Sequence, residues 1–82
     1  MARKKRTEAE IAAERRDRFV RVAEKRTQSV LDAIESLSAC ADKGMYEYTS
    51  EDAVVILDAI NEKVAKLRQT FIEGGPPRFR LD

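Results

Sequence analysis

Arg3, Lys4, Lys5 and Arg6 form an unbroken run of cations, and Arg15, Arg18, Arg21 and Lys25 follow at steps of three or four. Each guanidinium or ammonium group can neutralise a phosphate and release its counterions. This row is therefore the one set of side chains here with an evident ligand chemistry. On a helix, steps of three and four place the second group on one face, where it prolongs the track begun by the run. The same residues also suit a solvated, solubilising arm. Glu14 and Asp17 stand one turn before Arg18 and Arg21, and the first 18 positions hold no aromatic residue to stack on bases. As a localisation signal the tetrapeptide is a low-specificity match. Neither a helix-turn-helix spacing nor an aromatic platform is visible, so sequence-specific readout is not expected.

Other chemistry is sparse. The chain has no histidine and a single cysteine, Cys40, so it offers neither an internal disulfide nor a Cys/His set for zinc. Catalysis would have to rest on a carboxylate pair, a lysine or the thiol in a closed pocket, which two helices do not make. No enzymatic activity, cofactor or metal is expected. Cys40 falls beside Ala41 on an apolar stripe and reads as a small core residue, because a reactive thiol wants exposure and local positive charge. Glu47, Glu51 and Asp52 cluster, but a calcium loop needs alternating oxygen ligands over about twelve residues. They read as the solvated start of a helix.

The elements that must position these groups follow from spacing and punctuation. Residues 1–7 are expected to be a disordered basic arm, with nothing to bury. Thr7 with Glu10 three residues on makes a capping box, and no proline or glycine interrupts residues 8–43, so one long helix is expected there. Its core positions are Phe19, Val30, Ile34 and Leu37, with Ala23 and Ala41 in step. Val20, Val22, Thr27, Leu31, Ala33 and Cys40 widen the stripe beyond what one partner helix covers. Lys43 and Gly44 are expected to close this helix, glycine taking a positive φ. After a turn over 44–49, Thr49 caps a second helix over 50–73, with Asp52 reaching back to it. Here Leu57, Ile60, Val64, Leu67 and Phe71 form the core. Gly74-Gly75 stops this helix, and Pro76-Pro77 prevents its restart. Residues 74–82 are expected to be a flexible tail, though Phe79 and Leu81 alternate with arginines as in a docking strand.

The predicted fold is all-α: an antiparallel two-helix hairpin with a long first helix. In its register Cys40 faces Ala53, Leu37 faces Leu57, Ile34 or Ala33 faces Ile60, Val30 faces Val64, and Ala23 or Val22 faces Phe71. Arg26 and Thr27 lie opposite Leu67, where a charge is costly unless it snorkels. At about 1.5 Å per residue the first helix, roughly 50 Å long, overhangs the second and carries the basic arm. Eighty-two residues bury a thin core. The surplus apolar flank of Val20 and Leu31 on one helix, and of Val54, Ala65 and Ile72 on the other, therefore points to a coiled-coil-like homodimer, a four-helix bundle.

Charge is uneven along the chain. Residues 1–28 hold ten Lys/Arg and five Asp/Glu, residues 29–73 four and nine. An acidic body suits the alternative function class, a protein-binding adaptor or inhibitor that covers a basic surface with Asp58, Glu62 and their neighbours, or docks through the apolar flank. No apolar run approaches a membrane span and Met1 is followed by charge, so a cytoplasmic protein without a membrane partner is expected.

Arg18-Phe19-Val20-Arg21-Val22-Ala23-Glu24-Lys25-Arg26 followed by Tyr46-Glu47-Tyr48-Thr49-Ser50-Glu51-Asp52 resembles a group of small helical proteins of plasmids, integrative elements and prophages of Gram-positive and gut bacteria. The resemblance spans about residues 15–72 and is most specific at Tyr-x-Tyr-Thr-x-Glu-Asp. Ala39-Cys40-Ala41-Asp42-Lys43-Gly44 stands where that group often has an Asn-rich turn, and the Gly-Gly-Pro-Pro stretch lies outside the pattern. The resemblance implies a bacterial mobile-element setting and no particular activity. Together these readings predict a nucleic-acid-associated accessory or regulatory protein.

Overall fold

In the computed structural model the described residues are 6–76. The expected basic run at Arg3, Lys4 and Lys5 and the tail from Pro77 lie outside them. The chain is all-α: a long first helix, α1 (Glu8–Ser38), then a 3-10 turn (Ala39–Ala41) and a second helix, α2 (Ser50–Glu73), with no strand among the described residues. It divides into two units, Met1–Tyr46 around α1 and Glu47–Asp82 around α2.

α1 starts where the sequence places it. The Thr7 hydroxyl accepts the Glu10 amide at 3.1 Å, and the Thr7 carbonyl accepts the Ile11 amide, also at 3.1 Å. That hydroxyl satisfies an amide with no partner inside the helix, and Glu8 and Glu10 set acid at the positive end of the dipole.

The end of α1 departs from expectation. The α-helix stops at Ser38 and tightens into the 3-10 turn, so no basic residue lies in its last turn, and Gly44 is not a left-handed cap. Asp42 explains the difference. Its backbone is extended (φ −69°, ψ 103°), its carboxylate accepts the Gly44 amide at 2.8 Å, and its carbonyl accepts the amides of Met45 and Tyr46 at 3.1 and 2.9 Å. A short acidic side chain that bonds backbone two residues on offers the chain a turn in place of another helical step. A Cβ at 44 would stand 3.1 Å from the Asp42 carboxylate, a tight contact that the side chain can relieve by a small shift.

α2 is closed at both ends by the expected residues. Thr49 Oγ1 accepts the Asp52 amide at 3.1 Å, and the Asp52 carboxylate accepts the Thr49 amide at 2.9 Å, a complete capping box. At the other end Gly74 is left-handed (φ 85°). Its amide donates to the Phe71 carbonyl at 3.2 Å and that of Gly75 to Thr70 at 3.0 Å, the two bonds of a Schellman ending.

Neither helix has a buried residue. Of the residues expected in the core, Phe19, Val30, Ile34, Leu37, Leu57, Val64, Leu67 and Phe71 are exposed and Ile60 is half-buried. Ala23, Val20 and Ala53 are also half-buried, while Cys40, read as a small core residue, is exposed. Exposure reaches 48% at Phe19, 55% at Leu57 and 64% at Phe71. In the single chain, the apolar stripe of each helix is a surface.

Candidate nucleic-acid interface

A helix of 31 residues carries the cations, and its geometry decides which of them share a face. Arg18, Arg21 and Lys25 stand three and four residues apart, one above the next, and Arg15 begins the same row one turn earlier. All four are exposed, and none takes part in an ion pair among the described residues. The acid-before-base pairs read from the sequence, Glu14 with Arg18 and Asp17 with Arg21, are not formed.

Glu14 turns instead to Arg6, whose guanidinium donates to its carboxylate from the segment before the helix. Sequence spacing did not point to this bond, because Arg6 lies eight residues away, outside helical neighbour distances. Both side chains are about half exposed or more, at 63% and 46%. A pair so open to water contributes about 0–1 kcal/mol, and a phosphate can displace the carboxylate.

Arg21, Lys25 and Arg26 line a shallow concavity on α1 with Val22 and Ser29. The Ser29 hydroxyl donates to the Lys25 carbonyl at 3.2 Å, so it is turned onto its own helix. Arg26, an awkward charge in the predicted hairpin seam, here joins two cations of the row. Three cations within two turns of the helix form a strip of positive potential that an extended polyanion fits better than a compact ligand does.

Arg16 was missed. Its guanidinium lies over the Phe19 ring, 5.6 Å from the centroid, and the two line a second concavity with Val20, Ala23 and Thr27. The signal was present, since a cation three residues before an aromatic on a helix stacks on its face. Phe19 thus offers part of its ring to a cation of its own helix. On the acidic side, Gln28 donates to Asp32 at 2.8 Å, while Lys66 and Glu62 pair at 3.6 Å along α2.

Among the described residues no group of three His, Cys, Asp or Glu is placed to hold a metal ion, and no helix is long and apolar enough to cross a membrane. Compared with protein-family models, curated proteins and solved structures, the chain matches none.

Proposed function

We propose that this chain is a non-enzymatic, nucleic-acid-associated accessory or regulatory protein of a bacterial mobile element, acting in the cytoplasm. The observation that carries this reading is the row Arg15, Arg18, Arg21 and Lys25, exposed on one side of α1 with no carboxylate within ion-pair distance among the described residues. Cations held in water at helical spacing contact phosphates without the desolvation that a buried pair would cost. Arg3, Lys4, Lys5 and Arg6 add four further cations ahead of the row in the sequence. The contact is to backbone phosphate and independent of sequence, because no base-reading group accompanies the cations.

The test is a salt titration of binding to duplex DNA, single-stranded DNA and RNA, with the full chain beside one lacking residues 1–6. Removing four phosphate contacts should flatten the slope of log K against log salt by about 3–4 units on duplex DNA. An unchanged slope, or no binding at low salt, transfers the reading to a protein-binding adaptor. The exposed flank of Val54 and Ile72 on α2, Ile72 at 71%, favours that second function.

A further inference from the structure

α1 and α2 repeat the same apolar steps with opposite charge order. Along the first helix and the turn after it, residues 15–28 hold six cations and two acids, and residues 29–42 hold three acids and no cation. Along the second, residues 50–62 hold four acids and no cation, and residues 63–73 hold three cations and one acid. Set antiparallel, in the register that the apolar spacing gives for one chain, these segments oppose like charge to like. Set parallel, each meets its opposite. The apolar steps coincide in the parallel setting too: Phe19 falls beside Ala53, Ala23 beside Leu57, Val30 beside Val64, Ala33 beside Leu67 and Leu37 beside Phe71, with Arg26 beside Ile60 the one charged layer.

A parallel neighbour has to come from another molecule. The connection from Ala39 to Thr49 is partly folded into the 3-10 turn and the Asp42 turn. What remains is too short to run back along α2, which is about 36 Å long. We propose that a second copy of this chain covers the exposed stripes, its α2 lying parallel to α1, in a four-helix bundle whose two connecting turns stand at opposite ends. The complementarity is reciprocal, since α1 of each copy fits α2 of the other, as a two-fold axis requires. Opposed like charges penalise the alternative bundle with both turns at one end, so electrostatics selects the orientation while the apolar stripes supply the attraction. α1 is wide enough for the role, because Val20, Thr27 and Leu31 extend its stripe past the width that one helix covers. This inference is independent of nucleic-acid binding.

Cys40, the sole cysteine, is exposed beside the connecting turn and reports the orientation directly. The full chain is spin-labelled there, its mass measured by sedimentation at tens of micromolar, and the label-to-label distance measured by pulsed electron resonance. Turns at opposite ends place the labels about 30 Å apart or more, from the rise along the helices. A dimer with labels under about 20 Å apart, the cross-section of a bundle, overturns the proposal. So does a chain that remains monomeric or assembles beyond a dimer.

Discussion

α1 and α2 share an apolar spacing and differ in almost everything that borders it. α2 is closed at each end by a pair of hydrogen bonds, the reciprocal Thr49–Asp52 box at its start and the Gly74 and Gly75 amides donating to the Phe71 and Thr70 carbonyls at its end. α1 starts on the Thr7 hydroxyl and tapers through a 3-10 turn into the Asp42 turn. Acid opens α2, whereas the middle of α1 is a row of cations. The difference separates two tasks that one amphipathic pattern can serve. A helix with sharp ends holds a fixed register beside a neighbour, and a long one with an uncommitted cationic side presents charge to solvent.

Substitutions in the two helices put this difference to the test. The largest effect is expected from Leu57→Ala, which removes a large side chain from the α2 stripe. Once the stripe is covered, the loss is about 2–5 kcal/mol, enough to unfold so small a domain. Thermal melting followed by helical circular dichroism would show it, and a melt identical to the parent's would mean that Leu57 is not covered in solution.

Next come the ends. Gly74→Ala forces a Cβ into a left-handed backbone, although no atom stands within 4 Å of it. The cost is therefore conformational alone, about 1–2 kcal/mol. Gly44→Ala should cost less, because its φ is not positive and the Asp42 carboxylate can shift away. Equal melting temperatures for the two variants would contradict this ranking. Thr49→Ala loses a complete capping box and should cost about 1 kcal/mol, more than Thr7→Ala in the same melting assay.

The smallest effect is expected from Arg16→Ala. It removes a cation from the face of Phe19 at an exposed site, worth about 0.5–1 kcal/mol. A substantially larger drop in the melting temperature would give Arg16 a structural role beyond that ring.

Legibility in the sequence followed the range of the forces involved. The Thr7, Thr49–Asp52 and Gly74 caps were readable because each is settled within a few residues. The all-α class was readable because apolar steps of three and four recur over both segments. The end of α1 was misread at Asp42, where helix and turn compete for the same backbone groups and the turn wins. Glu14 was misassigned to Arg18 because helical spacing shows neighbours within a helix, and Arg6 approaches from outside it. The apolar stripes themselves were legible, but spacing alone does not show what covers them; both parallel and antiparallel registers satisfy it.

On the proposed function, the exposed cations of α1 are what the protein brings to nucleic acid. The most direct test replaces Arg18, Arg21 and Lys25 together by alanine and measures duplex binding across a salt series, beside a control carrying Asp58→Asn and Glu62→Gln. With helicity unchanged, removing three phosphate contacts should flatten the slope of log K against log salt by about 2–3 units per bound chain, and the control should leave it as in the parent. A triple variant that keeps the parent's slope would contradict the account.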